Sequence, residues 1–176
     1  MIQVRVGDGG FTPYGTASEF FYCKAPEVML SGPAETGKTI TSLHKLHLLC
    51  CKYKGVHALM TRKTQKSMYA SVIKTFQEKV LGRDNPVQPY GGQKPEWFDY
   101  PNGSRIVVVG MDNPNKALSA EYDLIYVNQA EELTENDWQL LTTRATGRAG
   151  HMPYAQTLGD CNPGGRTHWI LERAVS

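Results

Sequence analysis

The feature that most constrains the fold is a glycine-rich segment between an apolar run and a helical pattern. Residues 31–39 read SGPAETGKT, in which two glycines separated by four residues precede a Lys-Thr pair. The apolar run VML stands before this segment, and residues 39–54 have the spacing of an amphipathic helix. A strand, a glycine-rich loop and a helix in this order are typical of a phosphate-binding loop.

The residue types in this loop each have a chemical reason. Gly32 and Gly37 let the backbone wrap so that its N–H groups point at phosphates, and the helix N-terminus adds partial positive charge. Lys38 would reach the β- and γ-phosphates, and the Thr39 hydroxyl would bind Mg²⁺. The loop therefore predicts binding of a nucleoside triphosphate with Mg²⁺. The expected nucleotide-binding residues are Gly32, Pro33, Ala34, Glu35, Thr36, Gly37, Lys38 and Thr39.

From about residue 28 onward, short β-branched runs alternate with helical patterns. This alternation predicts an α/β fold with a mostly parallel central sheet and helices on both faces. An Asn-Gly turn at residues 102–103 predicts one β-hairpin, and residues 82–95 have the composition of an exposed loop. No linker is visible, so we expect one domain over residues 1–176. The predicted strands are residues 28–30, 56–60, 105–109, 124–127 and 155–158, and the predicted helices are residues 39–54, 65–81, 135–146 and 167–176.

Composition excludes several other classes of protein. With 40% hydrophobic and 20% charged residues, the chain of 176 residues can bury a normal core, which argues against intrinsic disorder. No apolar run approaches the roughly 18 residues of a membrane span, and the N-terminal residues lack the apolar region of a signal peptide. The net charge of +2 argues against a strongly basic protein that coats nucleic acid. A protein inside the cell without a membrane partner is therefore expected.

Residues 124–127 (LIYV) form the second apolar strand that a P-loop ATPase requires, and this strand normally ends in a carboxylate. Here the strand is followed by Asn128 and Gln129. Asn128 can still orient a metal-bound water through its carbonyl oxygen, so we expect it at the Mg²⁺ site with Thr39. Gln129 is an amide and cannot act as a general base. An alternative origin of the Asn128-Gln129 pair is engineering, because isosteric replacement of Asp by Asn and of Glu by Gln would produce the same two residues.

The carboxylates that follow this strand are Glu131 and Glu132. We expect the catalytic residues to be Lys38 and one of these glutamates, with Glu131 first and Glu132 second as the residue that orients the attacking water. The alternative is that both belong to an acidic helix start that faces solvent.

With these motifs in this order, the chain resembles the ATPase domain of the large terminase subunit of tailed bacteriophages. The marks are residues 18–39, 102–104, 118–133 and 159–170. The resemblance implies a RecA-like P-loop fold, in which an additional strand lies between the two nucleotide strands. It also implies an ATP-hydrolysing motor that drives double-stranded DNA through a portal protein into a procapsid in the host cytoplasm. The implied partners include the small terminase subunit and further copies of the chain in a ring, and we expect a monomer in isolation.

The resemblance also implies roles for individual residues. The segment of residues 159–162 matches the one that couples hydrolysis to movement, so Asp160 and Asn162 would sense the γ-phosphate. The alternative is a turn formed by the Asn-Pro-Gly-Gly sequence. Family members place an adenine-contacting segment upstream of the loop, where Tyr14 could stack on the base or belong to the core.

Some family members carry an arginine in the phosphate loop where this chain has Ala34. A neighbouring subunit would then have to supply an arginine, and Arg144 and Arg148 are the candidates, with plain surface charge as the alternative. Arg62, which follows the second strand, could reach the nucleotide or the hinge.

Whole large terminases also carry a C-terminal nuclease, so we expect residues 1–176 to be the N-terminal ATPase part of a longer chain, without the nuclease domain. Two other functions stay open at this point. One is another P-loop ATPase that acts on nucleic acid, such as a helicase or recombinase. The other is a nucleotide-binding oligomerisation module with little hydrolysis, which Asn128 and Gln129 would favour.

Overall fold

In the part of the chain that the structure describes, a sheet of eight strands forms the centre of the fold, and helices pack against it. The computed structural model describes residues 2–5, 16–33, 37–148, 151–163 and 168–175. The strands are β1 (Ile2–Arg5), β2 (Glu27–Ser31), β3 (His57–Thr61), β4 (Gln88–Tyr90), β5 (Trp97–Asp99), β6 (Arg105–Val108), β7 (Leu124–Val127) and β8 (Gln156–Cys161). The α-helices are α1 (Thr16–Tyr22), α2 (Lys38–Lys52), α3 (Gln65–Ala70), α4 (Val72–Thr75), α5 (Pro114–Ala117), α6 (Glu135–Thr142) and α7 (Trp169–Val175). Within the described ranges, no helix is both long enough and apolar enough to cross a membrane.

The strand order is β1-β2-β8-β7-β3-β6-β5-β4. All neighbours from β1 to β6 are parallel, whereas β6, β5 and β4 pair antiparallel. Strand β8 therefore lies between β2, which leads into the phosphate loop, and β7, the expected acidic strand. This is the additional strand of the RecA-like class, and the predicted α/β fold is confirmed.

Successive side chains of the parallel strands point to opposite faces, and both faces are buried, as expected for a sheet covered on two sides. On one face, Leu30, Met60 and Tyr126 pack with residues of α2, α3 and α4. On the other face, Ile125 and Val127 pack with residues of α6 and α7. The two layers explain why residues 124–127 have a continuous apolar sequence.

The structure differs from the sequence expectations at several places, of which three lie near the expected site or the hairpin. The fifth predicted strand is longer at its carboxyl end, because β8 continues through Gly159 and Asp160 to Cys161. The helix predicted over residues 65–81 is interrupted at Ser71, where φ is −132° and ψ is −84°, and it ends in a π-helical turn, Phe76–Leu81. The loop predicted over residues 82–95 contains the short strand β4, which extends the predicted hairpin.

Candidate nucleotide-binding site

The phosphate loop begins at the carboxyl end of β2, at the edge of the sheet where β8, β7 and β3 also end. Gly32 is buried, and its N–H donates to the carbonyl oxygen of Cys161 at 3.3 Å. Gly37 has φ 78°, a left-handed conformation that glycine adopts without steric cost, and it immediately precedes the first residue of α2. The expected nucleotide contacts of Ala34, Glu35, Thr36 and Tyr14 lie outside the described residues.

Lys38, the first residue of α2, points back over the loop and is 7% exposed. Its Nζ donates to the carbonyl oxygen of Pro33 at 2.5 Å and to Oδ1 of Asn162 at 3.1 Å. Lys38 and Asn162 are far apart in sequence, and they meet because β2 and β8 are neighbours in the sheet. The structure thus brings the loop lysine together with one of the two expected phosphate sensors.

Asp160, the second expected sensor, is buried within β8 and is 2% exposed. Its carboxylate accepts hydrogen bonds from the Tyr126 hydroxyl, from the backbone N–H of Gln129 at 2.8 Å and from Nδ2 of Asn128 at 3.2 Å. Burial raises the pKa of Asp160, whereas these three donors and the Lys38 charge act to lower the pKa. Asp160 therefore lies at the centre of a polar cluster at the ends of β7 and β8.

Tyr126 is a member of this cluster that sequence reasoning missed. It is fully buried in the middle of β7, its hydroxyl donates to Asp160, and Nδ2 of Asn128 donates to the same hydroxyl at 3.1 Å. The side chain of Thr39 also lies within hydrogen-bonding reach of this hydroxyl. Burial raises the pKa of Tyr126 well above its usual value, so the phenol stays neutral and can donate. The one sequence signal for this role was a hydroxyl group in an otherwise aliphatic strand, residues 124–127.

The residue after Asn128 adopts an uncommon backbone conformation. Gln129 has φ 49° and ψ 59°, in the left-handed region that non-glycine residues rarely occupy. In this conformation its N–H donates to Asp160, while its side-chain oxygen accepts a hydrogen bond from Arg62 at 3.0 Å. Gln129 thus links the buried carboxylate to the end of β3.

Arg62 follows β3, and its side chain is 12% exposed. Its Nε donates to Oε1 of Glu132 at 2.7 Å, and its two terminal nitrogens donate to Ser71 and Gln129 at 2.9 and 3.0 Å. The guanidinium therefore contacts the interruption between α3 and α4 and the side chain of Gln129. The carboxylate of Glu132 is therefore occupied by its ion pair with Arg62.

Glu131, the neighbouring glutamate, has a different environment. Its side chain is half-buried, and its Oε2 is buried without a hydrogen-bond partner among the described residues. Burial raises the pKa of Glu131, and the charge of Asp160 acts in the same direction, whereas the backbone N–H of Asn162 acts to lower it. The carboxylate of Glu131 is therefore near Asn162, which in turn contacts Lys38. Of the two glutamates, Glu131 is the one whose carboxylate lies near Asn162, the residue that contacts Lys38.

The two candidate trans arginines lie near the amino ends of the parallel strands, on the side of the sheet opposite the phosphate loop. The carbonyl oxygen of Arg144 accepts a hydrogen bond from the N–H of Tyr122, just before the amino end of β7. Arg148 is exposed and pairs with Glu121 at 3.1 Å. Because the loop lies at the carboxyl ends of the strands, neither arginine belongs to the nucleotide site of its own chain.

The oxygen groups at this edge fit a hard divalent cation. Mg²⁺ prefers oxygen ligands, and it is usually held by one or two protein oxygens together with substrate phosphates and water. The Thr39 side chain, the Asn128 amide and the Asp160 carboxylate belong to one polar cluster around the Tyr126 hydroxyl. Lys38 and the helix N-terminus supply positive charge beside them for phosphate groups. The edge is therefore suited to a nucleotide phosphate chain with a bound magnesium ion.

Comparison with known proteins agrees with this geometry. The sequence profile of the family described as phage terminase large subunit matches residues 25–176. No curated protein matches the chain.

Solved structures of similar fold come from large terminases. The large terminase of a thermophilic bacteriophage is 14% identical, with a TM-score of 0.72 over 90% of this chain and 41% of that chain. The complex of the same phage protein with ATP-gamma-S is also 14% identical and gives a TM-score of 0.68 over 92% of this chain and 38% of that one. The large terminase ATPase domain of Thermus phage P74-26 is 12% identical, with a TM-score of 0.66 over 92% of this chain and 69% of that chain. The chain thus spans about 41% of the first of these large terminases.

Proposed function

Because this chain belongs to the phage terminase large subunit family, we propose that it binds and hydrolyses ATP as the motor domain that drives double-stranded DNA into a procapsid. The observation that carries the proposal is the contact between Lys38 and Asn162, which places the phosphate-loop lysine beside the segment after β8. An ammonium group has three N–H donors, so Lys38 can contact phosphate oxygens while it keeps or exchanges its bond to Asn162. Asn162 is then placed to respond to the γ-phosphate.

The residues have distinct roles in this proposal. Gly32, Gly37 and the loop backbone hold the phosphates, and Lys38 neutralises the charge on the transferred group. Glu131 accepts the hydrogen bond of the attacking water and orients it, because its carboxylate lies near Asn162 while that of Glu132 is paired with Arg62. Glu132 and Arg62 are positioning residues, since they act through the segment of Gln129 and do not touch the nucleotide.

Magnesium is the cofactor that this site would hold. Thr39 and Asn128 supply the protein oxygens, and the ion, when bound, neutralises charge on the phosphates. The chain's own part is to present these oxygens in a buried cluster, in which Tyr126 contacts Thr39, Asn128 and Asp160. That cluster keeps the threonine hydroxyl and the asparagine amide in fixed relative positions.

The wider assembly is also part of the proposal. Residues 1–176 act as one ATPase domain within a ring of identical subunits on a portal protein, with DNA and the small terminase subunit as partners in the host cytoplasm. Arg144 or Arg148 reaches the site of the neighbouring subunit, because both lie at the opposite edge of the sheet from Lys38. The net charge of +2 fits DNA contacts that are few per subunit and repeated around the ring.

Nucleotide titration and phosphate release test this function. We expect the chain to bind a fluorescent ATP analogue in the presence of Mg²⁺, and Lys38→Ala to weaken binding by roughly tenfold or more, since a charge-assisted hydrogen bond contributes about 1.5–3 kcal/mol. Lys74→Ala, at an exposed position on α4, is the matched control and should bind as the unchanged chain does. Equal affinities for the chain and its Lys38→Ala variant would contradict the proposal.

The same assay separates the motor from a module that binds nucleotide without hydrolysing it. A motor releases phosphate, and release increases when portal protein and double-stranded DNA are present. Nucleotide binding without phosphate release in any mixture would favour the oligomerisation module. The Gln129 amide is the observation that supports this second function, because it stands where a general base is usual.

A further inference from the structure

The end of β7 lacks a carboxylate, yet the cluster around it contains one from the next strand. Both residues after β7, Asn128 and Gln129, are amides. The pairing of β7 with β8 sets Val127 opposite Gly159, so Asp160 is one position further along, beside Asn128. Its carboxylate is 2% exposed and lies within hydrogen-bond distance of the Asn128 amide.

The hydrogen bonds around Asp160 suit a negatively charged carboxylate. The Tyr126 hydroxyl, the Gln129 N–H and the Asn128 Nδ2 all donate to its two oxygens. A carboxylate that accepts several N–H and O–H groups is stabilised in its charged form. Gln129 takes a left-handed conformation in making its bond, so the backbone of this segment is shaped around Asp160.

The same contacts fix the direction of the Asn128 side chain. A carboxylate can only accept, so the amide edge that faces Asp160 has to be the NH₂ group. The Nδ2 atom also donates to the Tyr126 hydroxyl at 3.1 Å, which engages both of its hydrogens. The carbonyl oxygen Oδ1 is on the other side of the amide and stays an acceptor.

We propose that Asp160 supplies from β8 the carboxylate charge that the end of β7 lacks, and that it positions Asn128 so that the amide oxygen can serve as a ligand or water-orienting group for the divalent cation. Asp160 is thus a positioning residue that acts through Asn128. Charge and ligand, which one aspartate combines in other P-loop enzymes, are divided here between two neighbouring strands. This inference rests on the proposed function, because it concerns the metal of the same nucleotide site.

A charge exchange between the two strands tests the proposal. The measurement is the affinity for a fluorescent ATP-gamma-S analogue in excess Mg²⁺ and in EDTA. The dissociation constant in EDTA divided by the dissociation constant in Mg²⁺ reports the contribution of the metal. We expect Asp160→Asn to reduce this ratio by roughly tenfold or more, the usual effect of losing a residue that orients a metal ligand. The double variant Asn128→Asp with Asp160→Asn returns one carboxylate to the pair, and most of the metal dependence should return.

Matched controls separate this effect from general damage. Asp84→Asn makes the same chemical change at an exposed loop position and should leave the ratio unchanged. If Asp160→Asn does not fold, the double variant decides, since the proposal requires that it folds and responds to Mg²⁺. A folded Asp160→Asn with the unchanged ratio, or a double variant without recovery, would overturn the inference. Absence of nucleotide binding by the unchanged chain would instead contradict the proposed function.

Discussion

The Arg62 guanidinium and the Glu132 carboxylate form an ion pair with an Nε–Oε1 distance of 2.7 Å. The side chains are 12% and 34% exposed, so the pair is only partly screened by solvent. It gives two adjacent glutamates different surroundings, because Glu132 is held against β3 while Glu131 lies near Asn162. The two residues should therefore respond differently to the same substitution.

Glu131→Gln should abolish turnover and leave nucleotide binding nearly intact. The amide keeps the shape of the side chain and removes the carboxylate, and loss of a general base typically lowers rates by about 10²–10⁴-fold. Phosphate release measures the rate, and titration with the fluorescent analogue measures binding. A Glu131→Gln variant with normal turnover would move the water-orienting role to another residue.

Glu132→Gln should lower turnover less than Glu131→Gln, because it acts only through Arg62. Arg62→Ala should have the larger effect of the two single changes, because it also removes the bonds to Ser71 and Gln129. The double variant should be no worse than Arg62→Ala, since both changes break the same ion pair. Phosphate release from the unchanged chain, the two single variants and the double variant gives a double-mutant cycle. Additive losses would mean that Glu132 has a separate role at the nucleotide.

A mixture of two inactive variants should regain activity if arginines act between subunits. Lys38→Ala has a defective site with intact arginines, whereas Arg144→Ala with Arg148→Ala has an intact site without them. In mixed rings, a subunit that lacks the two arginines should receive one from a neighbouring Lys38→Ala subunit. Arg148 suits this contact because its side chain is exposed. Phosphate release with portal protein present is the readout. Rates equal to the average of the separate proteins would exclude complementation.

Lys45 should make stability depend on pH in the alkaline range. Lys45 is 1% exposed, its ammonium donates to the carbonyl oxygens of Phe20 and Cys23, and burial lowers its pKa from 10.5 to about 8. Between these values the unfolded chain binds a proton that the folded chain lacks, so the contribution of Lys45 to stability rises with pH. Below pH 8 both states are protonated, and the full cost of burying the charge is present.

The stability difference between the chain and its Lys45→Met variant should therefore shift in favour of the unchanged chain as pH rises from 8 to 10.5. A shift of this size in pKa corresponds to at most about 3 kcal/mol. Urea unfolding at the two ends of this range measures it. Lys66→Met, at an exposed position on α3, is the control and should give a difference independent of pH. The same flat result for Lys45→Met would contradict the prediction.

Gly159→Ala should destabilise the fold. A Cβ atom at this buried strand position would lie 3.0 Å from Cε of Met29 and 3.0 Å from Cζ3 of Trp138. Overpacking of this kind costs roughly 1–3 kcal/mol. Urea unfolding should show the loss, whereas Asp84→Ala in the exposed loop should show little. An unchanged midpoint for Gly159→Ala would mean that Trp138 can move away.

Local sequence was enough to predict the elements that form the nucleotide site. The loop between β2 and α2, strand β7 and the turn before β6 each have a signal within about ten neighbouring residues, such as glycine spacing, apolar runs or an Asn-Gly pair. Such signals also placed β8 correctly up to Leu158. The short strand β4 had none, because prolines and glycines surround it.

The contacts that distinguish the residues of the site could not be predicted in this way. Glu131 and Glu132 are neighbours in sequence, and only the through-space position of Arg62 gives them different environments. Asp160 lies beside Asn128 because of the register between β7 and β8, and register depends on the packing of whole strands. The contact between the Tyr126 hydroxyl and Asp160 depends on the same register. From local sequence, Tyr126 could therefore be assigned only to the apolar core.

The left-handed backbone at Gln129 limits which residues can follow Asn128 in this fold. Such a conformation costs a non-glycine residue roughly 1–2 kcal/mol, and more for a β-branched one, whereas Asn, Asp and Gly accept it more readily. Valine or isoleucine would therefore be excluded here even though both would extend the apolar strand. Substitution at this position is limited by backbone shape before it is limited by side-chain chemistry.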